Sequence, residues 1–175
     1  REDGAVVIRT VLSIGAVYLQ RLLELEATWR IDAAGQIACS IDAHKNAQIP
    51  FLPRFGVRLF LPREMQQVAY FGYGPYESYV DKHRASWLGR FASTVAAQHE
   101  DYIKPQENGS HWGCEWVCVE GPSGGVKALA LAEPISFNVS PYTQEMLTAC
   151  RHNYELEPDG NTVLCLDYMQ SGIGS

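Results

Sequence analysis

The sequence predicts an all-β, antiparallel fold of the sandwich or barrel type. Three observations carry this. Short segments that alternate apolar and polar residues recur along the chain, Gly/Pro clusters separate them at short intervals, and helix signals are scarce. A chain of 175 residues can form one domain that buries roughly 70% of its unfolded surface, and is short for two. With no internal repeat or low-complexity linker in view, a single domain spanning 1–175 is expected.

The elements come in chain order. From Ala16 to Ile31 the chain alternates after Leu22, with Leu23, Leu25, Ala27, Trp29 and Ile31 on one face and Glu24, Glu26, Thr28 and Arg30 on the other. Leu22, Leu23 and Glu24 are also good helix formers. The next residues decide for a strand: the turn Asp32-Ala33-Ala34-Gly35 leads into Gln36 to Asp42, which alternates again, so the pair reads as a hairpin. Pro53 to Pro62 is a strand with a proline at each end, and Gln67 to Tyr73 is another. His111 to Glu120 alternates as one strand up to the turn Gly121-Pro122-Ser123-Gly124-Gly125. Val126 to Ala132, Ile135 to Val139 and Thr162 to Tyr168 complete the set. One short helix is expected near 141–150, with Ser140 as its cap and Pro141 at the first helical position. Between Gly72 and Phe91 lies a ring-rich stretch with little periodicity, expected to be an ordered loop in which Gly74-Pro75 makes the turn and Tyr79 and Trp87 are largely buried.

Composition narrows the function classes. Hydrophobic content of 46% with 19% charged residues describes an ordinary globular chain. A net charge of −6 leaves no electrostatic footprint for a polyanion, so nucleic acid is not an expected partner. Apolar runs such as Ala5 to Ile8 are too short to span a bilayer, and Arg1-Glu2-Asp3-Gly4 does not open a signal peptide, so no membrane partner is expected. The first methionine is Met65, which leads us to expect a piece of a longer protein. Cys39, Cys114, Cys118, Cys150 and Cys165 include no C-x-x-C pair. On one strand Cys114 and Cys118 would stand about 13 Å apart, beyond disulfide reach. Reduced, buried thiols in a cytoplasmic protein are the expectation, with no metal.

Few constellations carry chemistry. A glycosidase needs two carboxylates facing the scissile bond, and the candidates are Glu77 with Asp81, or Glu107 beside Asn108. Nothing in the sequence sets either pair across a pocket, and no catalytic residue is assigned. His44, His83, His99, His111 and His152 are scattered without metal-ligand spacing, Gly121-Pro122-Ser123-Gly124 is no nucleophile elbow, and Gly72-Tyr73-Gly74 is no nucleotide loop. Asn108-Gly109-Ser110 and Asn138-Val139-Ser140 match a glycosylation acceptor by chance. The rings and acids of 72–91 suit a saccharide site, since ring faces stack on sugar C–H surfaces while acids hold hydroxyls. The stronger reading is an irregular loop that its large aromatics anchor onto a sheet.

Several spaced motifs go further. Leu52-Pro53-Arg54-Phe55-Gly56, then Tyr70-Phe71-Gly72-Tyr73-Gly74-Pro75-Tyr76-Glu77-Ser78-Tyr79-Val80-Asp81-Lys82, resemble the P-R-x-G and W-x-G-x-G-P-x-E-x-Y-x-D-R of glycoside hydrolase family 2 β-galactosidases. Tyr102-Ile103-Lys104-Pro105-Gln106-Glu107-Asn108-Gly109 is similar to that family's Y-x-x-P-x-E-N-G. Phe137-Asn138-Val139-Ser140-Pro141-Tyr142-Thr143, His152, and Asp167 followed by Gly172-Ile173-Gly174 match the rest in the same order. Lys82 departs from the pattern, standing where the family has Arg, which weakens any bidentate pairing with a carboxylate.

The resemblance implies a C-terminal (small-chain, domain 5) supersandwich similar to galactose mutarotase, within a large and often tetrameric enzyme that hydrolyses terminal β-D-galactosides such as lactose. It implies catalytic glutamates in a separate (β/α)₈ barrel, a mobile loop before this chain, and a residue, commonly Trp, just past Ser175. Mg and Na/K ions are implied for the full enzyme, held mainly by other domains. The family-signature residues Gly72, Gly74, Pro75, Glu77, Tyr79, Asp81, Glu107 and Asn108 are then sugar-proximal at most, with Glu77 and Asp81 expected to satisfy local backbone or cationic partners. Two rivals stand beside this reading: a stand-alone carbohydrate-binding module, which requires measurable affinity for galactose or lactose, and a mutarotase-like epimerase using a Glu base and a His acid.

Overall fold

A computed structural model describes residues 4–172. The chain divides into two compact units, one ending at Leu52 and one beginning at Pro53.

The first unit is a three-stranded antiparallel sheet, β1 (Val6–Ala16), β2 (Leu19–Ile31) and β3 (Ile37–Lys45), with β2 in the middle. Its register sets Leu25 between Leu12 and Ala43, and Trp29 between Ile8 and Cys39. Period-2 alternation thus gathers the apolar side chains on one face, where Leu23, Leu25 and Ala27 are buried. The β2–β3 turn is built by Asp32, whose Oδ1 accepts from Ala34 N at 2.9 Å and Gln36 N at 3.0 Å, while Gly35 takes a φ of 80°. The expected hairpin is present. Strand β1 is an addition to the expected elements.

The second unit packs two four-stranded antiparallel sheets. One runs β4 (Arg54–Pro62), β11 (Asn161–Gln170), β10 (Ile135–Ser140), β7 (Ser110–Cys114), and the other β6 (Trp87–Thr94), β5 (Gln67–Gly74), β8 (Trp116–Gly121), β9 (Gly124–Leu129). Both contribute to a core of Leu61, Val68, Tyr70, Val95, Cys114, Val117, Val119, Phe137, Val139 and Leu164. The strands that line it are rich in Val, Leu and aromatic residues, which suit a pleated, half-buried surface. The all-β, antiparallel expectation holds.

Four expectations change. His111 to Glu120 is two strands, not one. The chain turns at Gly113, at a φ of 64°, leaves β7 after Cys114, and passes from one sheet to the other at Glu115, whose N–H donates to the Phe71 carbonyl at 3.0 Å. Cys114 and Cys118 accordingly sit in different sheets. The helix is α1 (Gln144–Ala149), within the expected window but capped by Thr143, whose hydroxyl accepts from Met146 N at 3.2 Å. Ser140 instead ends β10 and accepts from Tyr142 N, leaving Pro141 outside the helix. Residues 87–91 belong to strand β6 and not to a loop. Trp87 opens that edge strand with its side chain 57% exposed, because β6 has a partner on one side only. Ile173 and Gly174 of the G-I-G motif lie outside the described residues.

All five cysteines are free thiols, but only Cys114 and Cys165 are buried, and Cys39 is exposed. No helix of the described residues is long and apolar enough to cross a membrane.

Candidate functional site

The signature segment leaves β5 at a cis Gly74–Pro75 bond and runs to β6 through a loop tied down by its own backbone. Tyr79 N donates to the Lys82 carbonyl at 2.8 Å and Lys82 N returns to Tyr79 O at 3.1 Å. Ser78 is buried, donating from its backbone N to Ser110 O at 2.7 Å and accepting at its hydroxyl from Trp112 N at 2.9 Å. This fixes the loop onto β7.

Glu77 is the hub of this loop. Its Oε1 takes the Lys82 ammonium at 2.5 Å and the Tyr102 hydroxyl at 2.5 Å, and its Oε2 takes Gly109 N at 3.0 Å with Tyr79 OH farther off at 3.5 Å. Burial pushes the carboxyl up, but these donors outweigh it and hold Glu77 below the usual carboxylate range. The side chain thus pins the 75–86 loop to the segment carrying Tyr102 and Gly109. Lys82 serves as a point charge, so one short contact replaces the fork that Arg would offer.

A second polar cluster lies along β4 and β11. Arg54 grips Asp167 with Nε and Nη2, both at 2.8 Å, and reaches Glu107 Oε1 with Nη1 at 3.0 Å. Gln170 Nε2 also donates to Glu107 Oε1 at 3.3 Å, while Gln170 Oε1 accepts from Ser110 Oγ at 3.0 Å. Two buried carboxylates therefore share one cation, and Glu107 Oε2 has no partner among the described residues. Burial raises the Glu107 carboxyl, with Arg54 the main opposing influence. Gly56 permits the close approach: a Cβ there would collide with Leu166 O and Asp167.

Most of the remaining signature residues are buried and make contacts within the fold. Asn108 is buried, accepting at Oδ1 from Glu100 N at 3.0 Å, donating from Nδ2 to Gln106 O at 2.9 Å, and offering its carbonyl to Asn138 Nδ2. Both glycosylation-like asparagines are thus inside the protein. Tyr79 is buried, and burial first, then the nearby carboxylates, raises its hydroxyl strongly. Gly72 and Gly74 let side chains lie close against the β5 backbone: a Cβ at Gly72 would meet Cys114 of β7, and one at Gly74 would meet the hydroxyl of Tyr70 on the same strand and Phe91 of β6. Pro75 is exposed on the turn. Asp81 is exposed, and no hydrogen bond or ion pair engages it among the described residues.

The structure therefore does not bring Glu77 and Asp81 together as an acid pair. It does form a cleft of about 260 Å³ lined by Tyr76, Glu77, Lys82, His83, Glu100 and Tyr102. Of the sequence candidates, Glu77 alone lines it. Sequence reasoning misses Tyr76, His83, Glu100 and Tyr102 as its neighbours, although Tyr102 and Glu77 lie in two motifs of the same resemblance. Among the described residues, no three His, Cys, Asp or Glu side chains converge to hold a metal ion.

A family model described as beta galactosidase small chain matches residues 2–175. Among curated proteins, the chain is 45% identical over its whole length to a beta-galactosidase of Actinobacillus pleuropneumoniae, covering 17% of it. It is 41% identical to one of Staphylococcus xylosus, over 85% of this chain and 15% of the relative. It is 29% identical to one of Streptococcus thermophilus, over 93% of this chain and 16% of the relative. The chain spans about one sixth of the length of these relatives. The chain belongs to the beta galactosidase small chain family.

Proposed function

We propose that the chain is the non-catalytic C-terminal sandwich of a β-galactosidase, working with other domains of a larger enzyme that hydrolyses terminal β-D-galactosides such as lactose with retention. The observation that supports it is the fate of the signature residues. Glu77, Tyr79, Glu107 and Asn108 carry the family motifs, yet they hold loops together and do not face one another across an open site. A retaining glycosidase needs a protonated acid and a free nucleophile roughly 5–5.5 Å apart. Here both Glu77 oxygens are filled by donors, and Glu107 and Asp167 are both bound to Arg54. We assign the catalytic acids to another domain, and with them the galactoside pocket.

The same reasoning assigns the magnesium and the alkali ion of the full enzyme elsewhere. The acids best buried for such ions, Asp167 and Glu107, already share a guanidinium. A homo-oligomeric, cytoplasmic parent completes the proposal. The test is the product of the full-length gene acting on a nitrophenyl β-D-galactoside, with the anomer followed by NMR. The reading expects β-galactose first, the mark of retention, and release of α-galactose first, or no hydrolysis, overturns it.

A further inference from the structure

We propose that the cleft beside Glu77 is a saccharide subsite, accepting one neutral, hydroxyl-rich pyranose ring. Its volume of about 260 Å³ lies just under the roughly 300 Å³ at which small-molecule sites begin, which suits a single ring and not an oligosaccharide. The floor is rigid, because Glu77 is held by Lys82, Tyr102 and Gly109 N. The wall is rigid as well: His83 Nδ1 lies 3.0 Å from Tyr79 O, and its ring stacks on Trp112 at 4.5 Å. Preorganised walls reduce the ordering cost of binding.

The free groups define the ligand. The Tyr76 side chain is 60% exposed on the rim and offers a ring face for sugar C–H surface. Lys82 donates to Glu77 and also engages the Tyr102 hydroxyl, which leaves it one further donor, while Tyr102 donates to Glu77. Glu100 presents an exposed carboxylate to the cleft, and the other nitrogen of His83 is open. Donors, acceptors and a ring face converge there. The charges count against an anion: the Lys82 cation is offset by Glu77, and Glu100 adds a further negative charge. A phosphorylated or sulfated sugar is therefore disfavoured relative to a neutral one.

Saturation-transfer NMR on the full chain tests this, with methyl β-D-galactoside, methyl β-D-glucoside, glucose 6-phosphate and methylammonium as probes. Tyr76→Ala and Glu100→Gln change exposed side chains, and an unchanged circular dichroism spectrum verifies that each variant is folded. The proposal expects transfer to ring protons of the neutral glycosides in the millimolar range, weakened about tenfold by Tyr76→Ala. It expects Glu100→Gln, which removes one negative charge from the cleft, to bring binding of the phosphorylated sugar closer to that of the neutral ones. No transfer from either glycoside, transfer undiminished in Tyr76→Ala, or a preference for the phosphorylated or cationic probe overturns it.

Discussion

A histidine ring buried between Tyr70, at 4.4 Å, and Phe137, at 5.1 Å, has no room for a charge. His111 lies with Nδ1 3.1 Å from Tyr73 O and meets the Gln98 side-chain amide at Nε2. Burial pushes its pKa from 6.5 down to about 4. The unfolded chain therefore binds a proton here below pH 6.5 that the folded chain refuses until near pH 4, so stability is full above 6.5 and falls as the pH drops through that window. The loss amounts to about 3 kcal/mol at most. In His111→Phe the rings still pack, but the Tyr73 carbonyl and the Gln98 amide lose a partner. Urea titrations should show it about 1–3 kcal/mol less stable at pH 7, with the slope between pH 6.5 and 4.5 much reduced. An unchanged slope would mean that other groups govern acid sensitivity.

At the scale of elements, glycine sets how closely strands approach. Gly72 on β5 faces Cys114 at the end of β7, and an added Cβ would collide with that cysteine's sulfur and lie 3.0 Å from its Cα. Gly72→Ala should cost about 2–3 kcal/mol in urea unfolding, and Cys114→Ala in the same chain should recover part of it by removing the sulfur. Additive losses would show that the contact is not the cause. The elements legible in the sequence are those whose signals are local. The Asp32–Gly35 turn is made by one side chain bonding its own neighbours, and β4 and β11 alternate or run apolar between clear breaks. The sheet switch at Glu115 is illegible because alternation continues across it from His111 to Glu120, and only the φ of Gly113 betrays it. Strand β6 reads as loop because Trp87-Leu88-Gly89-Arg90-Phe91 comes after a turn-rich run and does not alternate. For the site, the motifs specify residue types but not partners: Arg54 and Asp167 are 113 residues apart, and nothing local links Glu77 to Tyr102 or Gly109.

For the whole molecule, the family and the arrangement of the acids converge on one account. The signature motifs of a beta galactosidase small chain are spent on fastening loops to sheets, and in the function we propose, hydrolysis belongs to other domains of the larger enzyme. The most direct measurement is the release of nitrophenol from a chromogenic β-D-galactoside by the purified chain. The account predicts no turnover above buffer, with Glu77→Gln and Glu107→Gln indistinguishable from the parent sequence in that assay. Turnover that co-elutes with the chain through two chromatographic steps, and is abolished by either substitution, would contradict it.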